Sequence, residues 1–514
     1  MGLFFRREED ITNRGATVAS TMEQPSQPKT KVPFLAVFLG LVASIGGFQF
    51  GYLSGQISGT SRQTSPVLPS LIGTGYFAMQ NYAQRFGTLQ NGNAYGFSPI
   101  RQGTITANLC AGALVGSLIA GKLADTLGRR LTISTSALFC MIGTILEISS
   151  TDHWAQFAVG RFIDGLAVGS LSVVVPMYQS ECAPTSIRGV LVSSYQLFIT
   201  LGIWTGYMVD WGTEAMMSSA AWRIPNGLSF LWALILGAGI LFLPESPRYA
   251  YRMGREDEAR HNIARLSGLG LNDKEVTNQI RDIRSKIDEE LAGKDAKWYE
   301  IFTGPRMFYR TVLGMILMMG QQMTGANFFF YFGTTVFSAT GLSNSYVTQI
   351  ILGSVNVVAT FGGLYVAARC GRRKALMAGA AWMFMCFMVY AFVGHLYLSQ
   401  NKKTGGTILV VFTCLFIVAF ATTWGPLVWA IVAELYPARY RAPCMALATA
   451  SNWLWNFLIS FFSTLIVDDI GWLYGLVFGG CCFALFFVVY FFLIETKDRL
   501  LEGEYASASR GINY

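Results

Sequence analysis

The sequence predicts an all-α membrane protein, with twelve transmembrane helices in two pseudo-symmetric six-helix bundles joined by a helical linker. Three observations predict it. Apolar residues make up 52% of the 514 and charged residues only 13%, far below the roughly 25% charge of a soluble domain. Apolar runs recur that are long enough to cross a bilayer, which takes about 20 residues each. The chain also repeats itself. Glu181-Cys182-Ala183-Pro184-Thr185-Ser186-Ile187-Arg188 and Glu434-Leu435-Tyr436-Pro437-Ala438-Arg439-Tyr440-Arg441 share the pattern E-x-x-P-x-x-x-R. Gly128-Arg129-Arg130 returns as Gly371-Arg372-Arg373, and Leu243-Pro244-Glu245-Ser246 returns more loosely as Leu493-Ile494-Glu495-Thr496. The offsets are 253, 243 and 250 residues. Three echoes near one spacing mark a duplicated unit, and paired helical bundles are how many transporters hold a solute between two halves.

Residues 1–33 are polar and charged, and read as a cytoplasmic N-terminal tail rather than a signal peptide. Six apolar segments follow in 34–243, at 34–57, 102–124, 131–149, 154–177, 188–209 and 225–243. The stretch 244–308 is rich in Arg, Lys, Glu and Asp; Ile263, Leu266, Ile280, Ile283 and Ile287 recur within it at helical spacing, which predicts amphipathic helices at the membrane surface. Six more segments fill 309–494, at 309–337, 345–368, 375–397, 405–433, 443–467 and 472–494, and 495–514 forms a C-terminal tail. With residues at run ends assigned to the adjoining loop, the loops sharing a side with both termini hold 31 Lys and Arg against 6 on the other side. The positive-inside bias places both termini in the cytoplasm.

The net charge of +8 does not point to nucleic acid, because the basic residues are dispersed between apolar runs. The nine cysteines have no metal-ligand spacing and lie mostly in apolar runs, where a thiol behaves as a small hydrophobe. No Ser-His-Asp set, metal cluster or phosphate loop stands out, so neither an enzyme, a catalytic residue, a metal nor a cofactor is expected.

Neutral amides and aromatic rings recur in the apolar runs. A solute rich in hydroxyls, which both donate and accept, calls for neutral amides, which do the same, and for aromatic surfaces against its apolar face. Gln196, Gln321, Gln322, Asn327, Asn452 and Asn456 lie inside apolar segments, with Trp424, Trp429, Trp453 and Trp455. Hydrogen bonds between helices are the other use of membrane amides. Gly425-Pro426 interrupts the tenth segment and Gly320 and Gly325 loosen the seventh, points at which half a helix can bend.

Gly121-Lys122-Leu123-Ala124-Asp125-Thr126-Leu127-Gly128-Arg129-Arg130 resembles the G-x-x-x-D-x-x-G-R-R/K signature of the major facilitator superfamily. Arg161-Phe162-Ile163-Asp164-Gly165 through Glu181, Pro244-Glu245-Ser246-Pro247-Arg248 and Gln321-Gln322-Met323-Thr324-Gly325-Ala326-Asn327 resemble its sugar porter family, most of all the fungal hexose transporters. The resemblance covers about residues 34 to 500. It implies alternating-access transport of a monosaccharide, glucose or a similar hexose, through the plasma membrane, by a protein that works as a monomer in the lipid bilayer. It also implies that Gln196, Gln321, Gln322, Asn327, Trp429 and Asn452 contact the sugar. Asp125, Arg129, Arg130, Glu181, Arg188, Arg372, Arg373, Glu434 and Arg441 match the family's salt-bridge network between the halves on the cytoplasmic face. The second arginine motif departs from the pattern: Ala368 stands where an Asp is usual, so a weaker latch is expected there.

Proton-coupled members carry an Asp at the position of Leu53, beside the arginine matched here by Arg161. Leucine does not titrate, which favours a proton-independent facilitator. Asp164 is then expected to neutralise Arg161 from three residues along the helix. A proton symporter and a membrane sugar sensor are the alternative readings, together with a porter of another polyhydroxylated solute.

Overall fold

The computed structural model describes residues 33–57, 75–90, 94–184, 187–292, 299–304, 307–330, 345–398, 401–436 and 440–495. Apart from one small antiparallel hairpin, Thr88–Gln90 with Ala94–Gly96, these residues are helical or in turns. The first set of helices is α1 (Phe34–Gly55), α2 (Pro99–Leu127), α3 (Arg129–Ser149), α4 (Trp154–Cys182), α5 (Arg188–Thr213) and α6 (Ala220–Leu241). Three polar helices follow, α7 (Pro247–Arg252), α8 (Glu256–Ser267) and α9 (Lys274–Ala292). The second set is α10 (Met307–Met323), α11 (Ser345–Arg369), α12 (Arg372–Phe392), α13 (Lys402–Thr422), α14 (Trp424–Leu435), α15 (Arg441–Ile470) and α16 (Tyr474–Phe492).

Among the described residues, ten helical stretches are long and apolar enough to cross a membrane, with α13 and α14 together making one. The expected segments at 309–337 and 443–467 are not among the ten. The first appears as α10, only 17 residues long, and a helical stretch at 326–330 beyond a break at Gly325; residues 331–337 lie outside the described residues. The second is the 30-residue α15, which carries Asn452 and Asn456.

The first set is held by backbone-to-backbone approach. A Cβ on Gly51 of α1 would sit 2.0 Å from the Ile199 carbonyl oxygen of α5, and one on Gly112 of α2 would sit 2.0 Å from that of Phe162 on α4. Small residues at such crossings let membrane helices gain packing contacts that lipid cannot supply. The second set has its own core, in which Phe328, Phe329, Phe387, Phe416 and Phe478 interlock. Gly325 is fixed by conformation as well as by space: its φ of +82° favours glycine, and a Cβ there would meet Phe387 and Phe478 at 2.7 Å.

The amphipathic stretch folds as expected into helices, but their apolar faces turn onto one another. Ile263 of α8 and Ile280 of α9 are buried with Ala250 of α7 in a small cluster, and Leu266 joins the core of the first set. Between α1 and α2, Gly75–Ala78 and Gln80–Phe86 are helical. There Phe77, Tyr82, Phe86 and Phe97 pack with Phe157 and Trp222 into an aromatic cap over α4 and α6.

The two sets meet along α2 with α15 and α5 with α11. Trp204 of α5 donates its indole N–H to Ser354 Oγ of α11 at 2.9 Å. At the end farthest from the Gly128-Arg129-Arg130 turn, Tyr346 Oη of α11 donates to the Gly75 carbonyl at 3.0 Å.

Candidate solute site and gating charges

The amide-bearing helices converge on a break. Pro426 has no N–H and its ring crowds the carbonyl four residues back, at Thr422. The helix accordingly ends there, Thr423 turns to φ −126° and ψ −83°, and α14 starts afresh at Trp424 with the proline in its first turn. The expected interruption is thus real and falls three residues before the proline. Two carbonyls of the first turn after the break, those of Trp424 and Gly425, accept from the Gln321 side-chain amide at 3.0 and 2.9 Å.

From Gln321 the amides form a chain. Asn452 of α15 donates to Gln321 Oε1 at 2.9 Å and to the Met318 carbonyl at 3.0 Å. Gln322 donates to Asn452 Oδ1 at 2.9 Å, and Asn327 donates to Gln322 Oε1 at 2.6 Å and to Asn456 Oδ1 at 3.1 Å. Ser460 completes it by donating to Asn456 at 3.2 Å. Gln321 and Asn452 are buried and have every amide hydrogen engaged by protein. Gln322 and Asn327 are half-buried, and Asn327 Oδ1 makes no hydrogen bond among the described residues.

The first set contributes Gln196 and Tyr195. Gln196 is half-buried, has no hydrogen bond among the described residues, and its Nε2 lies 3.7 Å from where a Gly425 Cβ would be. Tyr195 meets Trp429 of α14 edge-to-face, with ring centroids 6.1 Å apart. The six expected sugar residues are therefore gathered around one helix break, between the two sets. Their polar capacity is uneven: Gln196, Gln322 and Asn327 retain free sites for a hydroxyl, while Gln321 and Asn452 hold the break. Trp424 and Trp453 are fully buried, and Trp424 Nε1 is bonded to the Leu376 carbonyl, so these rings are packing. Among the described residues no group of His, Cys, Asp and Glu could hold a metal.

The repeated charges build the same object twice. Glu245 accepts from the backbone N–H of Arg129 and Arg130 at 3.1 and 3.2 Å, and Glu495 from those of Arg372 and Arg373 at 2.7 and 3.3 Å. Each carboxylate caps a helix N-terminus, where orphan N–H groups and the helix dipole favour an anion. Arg129 Nη1 donates to the Ala124 carbonyl at 3.1 Å, as Arg372 Nη1 does to Ala367 at 2.9 Å. Arg129 grips Glu181 with two contacts, 2.9 and 3.0 Å, both side chains almost fully buried. Arg372 reaches Glu434 at 3.2 Å, with Glu434 a third exposed. Asp125 adds a contact to Arg129 at 3.5 Å, for which Ala368 offers no counterpart.

These ion pairs correct one expectation, because each closes within one helix set rather than between the two. Arg188 bonds its own turn at the Ala183 carbonyl, Arg130 reaches the Leu241 and Leu243 carbonyls, and Arg373 reaches that of Tyr490. The Arg441 side chain lies outside the described residues, as do residues 185–186 and 437–439 of the two motifs. The capping role of Glu245 and Glu495 was missed, although both stand in the third echo.

At the other end of the first set, Arg161 is 1% exposed and directs both terminal nitrogens to the Leu53 carbonyl, each at 3.1 Å. Its nearest carboxylate is not Asp164 but Glu147 of α3, 4.0 Å from Nε. Asp164 points from α4 toward Gly143 of α3. Two further buried acids, Glu147 and Asp210, thus escaped a reading that counted only Asp164.

Comparison with known proteins follows the same lines. The family model described as sugar (and other) transporter matches residues 39–505. A low-affinity glucose transporter of Kluyveromyces lactis is 38% identical over 514 residues, covering 98% of this chain and 87% of that protein. The low-affinity glucose transporter HXT1 of Saccharomyces cerevisiae is 40% identical, over 90% of this chain and 80% of its own. Among solved structures, the proton:xylose symporter XylE bound to 6-bromo-6-deoxy-D-glucose superposes with a TM-score of 0.74 at 22% identity, covering 92% of this chain and 99% of that one. A partially occluded inward-open form of the xylose transporter XylE from E. coli gives 0.71, over 90% and 99%.

Proposed function

The chain belongs to the sugar (and other) transporter family, a family of membrane transporters and not of enzymes, and we propose that it carries glucose or a similar hexose by alternating access as a proton-independent facilitator. The observation that carries this reading is the amide chain around the Thr423–Gly425 break, faced by Gln196 across the boundary between the helix sets. A hexose bound there bridges the sets through Gln196, Gln322, Asn327 and Trp429, while Gln321 and Asn452 tie its presence to the break. α10 with its continuation, and α15, are the seventh and eleventh of twelve spans, in a first bundle of 34–243 and a second of 309–494. The basic loops put both termini and the linker 244–308 in the cytoplasm, and the protein works as a monomer in the plasma membrane.

In transport, the helix sets rock about the site, and closing the motif face brings the two arginine clusters together. Within each set the Arg–Glu pair and the capping carboxylate keep the helix ends rigid, so that the motion is that of whole bundles. Leu53 supplies Arg161 with a carbonyl where proton-coupled members supply a carboxylate, which supports uniport. One observation favours the symport alternative, the burial of Glu147 and Asp164 near that arginine. Uptake of radiolabelled glucose in a transporter-null cell, with and without a protonophore, separates the two.

A further inference from the structure

Asp210 sits on α5 at the end farthest from the arginine motifs. It is 1% exposed, and neither carboxyl oxygen finds a hydrogen-bond partner among the described residues. Three phenols surround it within electrostatic reach, Tyr52 of α1, Tyr76 of the turn Gly75–Ala78 and Tyr346 of α11. All three turn their O–H elsewhere: Tyr52 to the Pro225 carbonyl, Tyr76 to Asn226 Oδ1 and Tyr346 to the Gly75 carbonyl, each at 3.0 Å. Gln56 closes the same space from α1. A Cβ on Gly206, one turn from Asp210, would lie 3.5 Å from the Gln56 nitrogen. The Gln56 side chain is buried beside Tyr52, and Asn226 Nδ2 is buried without a hydrogen-bond partner among the described residues. The charged groups near the site are Glu214, an acid one turn along, and Glu147 and Arg161 beyond Tyr76.

A carboxylate buried without a donor or a cation costs several kcal/mol, and a neutral carboxylic acid far less. No basic side chain acts on Asp210 in this arrangement. The Tyr346–Gly75 bond joins the helix sets at this end. We propose that Asp210 is a proton-binding site coupled to this gate: it holds a proton while the gate is closed and releases it to water when the gate opens. In this proposal the proton comes from and returns to the same side, through the open gate. The site therefore sets the balance between gate-open and gate-closed forms without driving sugar uphill, and it goes beyond the facilitator reading above.

The test uses the full chain in lipid nanodiscs. Backbone hydrogen exchange of residues 75–86 and 345–352, corrected for the chemical exchange rate, is followed from about pH 5 to about pH 9. The wild type should lose protection as pH rises, by up to about tenfold per pH unit, the limit for one proton. Asp210→Asn should be flat and as protected as the wild type at low pH, and Asp210→Glu should keep a slope. A flat wild type, or an Asp210→Asn that retains the wild-type slope, overturns the proposal. Radiolabelled glucose efflux from liposomes runs in parallel: a pH slope in exchange without glucose movement keeps the proton site and removes the transport reading, whereas glucose movement with no slope does the opposite.

Discussion

Removing the Gln322 amide is the most informative change to the solute site. Gln322→Ala deletes one donor bond, to Asn452 Oδ1 at 2.9 Å, and one acceptor, to which Asn327 donates at 2.6 Å. A sugar hydroxyl bonded at this position loses its partner, worth about 1–1.5 kcal/mol, or roughly five- to tenfold in affinity. Gln322 is half-buried, so Asn327 and Asn452 can take water into the space left, and the protein should still reach the membrane. Gln321→Ala should behave differently. Its amide makes three bonds, two of them to carbonyls of the first turn after the α13–α14 break, so its loss should lower turnover more than affinity. The assay is concentration-dependent uptake of radiolabelled glucose in a transporter-null cell, with surface protein measured alongside. Unchanged affinity in Gln322→Ala, Asn327→Ala and Asn452→Ala alike would refute the site.

Other consequences can be checked separately. Glu181→Gln removes one partner of a buried two-contact pair and should cost about 3–5 kcal/mol, seen as a lowered thermal midpoint, while Glu434→Gln, at a part-exposed pair, should cost about 1 kcal/mol or less; equal effects would contradict the difference in burial. If these clusters also govern closure, Glu181→Gln should raise the labelling of a cysteine placed at the motif-face mouth, and unaltered labelling would leave them as structural only. Gly112→Val should prevent folding because a Cβ lies 2.0 Å from the Phe162 carbonyl, and normal expression of a functional variant would falsify the crossing geometry. Leu53→Asp puts a carboxylate beside Arg161, whose nitrogens already face that residue's carbonyl, and transport should then depend on pH.

Much of this molecule is legible in the sequence, for specific reasons. The apolar runs and their punctuation by Gly-Arg-Arg and Pro-Glu-Ser-Pro-Arg give the helices, since bilayer length and the turn residues act locally. The amide cluster is legible because Gln321, Gln322 and Asn327 fall within one apolar run. What escaped depends on distance along the chain. Glu245 caps a helix that begins 116 residues earlier, and no local pattern announces such a partner. Whether Arg129 pairs within its own bundle or across to the other is likewise a matter of tertiary placement. Glu147 and Asp210 stand near the ends of their helices, where an acid ordinarily meets water, yet both are buried. Pro426 signalled the break, but its position follows from the crowded carbonyl of Thr422 rather than from the proline itself.

The central claim is that sugar crosses between the bundles down its own gradient. Time courses of radiolabelled glucose in a transporter-null cell, run to completion with and without a protonophore, test it most directly. The account predicts entry that stops when inside and outside concentrations are equal, with an initial rate the protonophore leaves unchanged. Several-fold accumulation that collapses when the proton gradient is dissipated, or no entry at all, would contradict it.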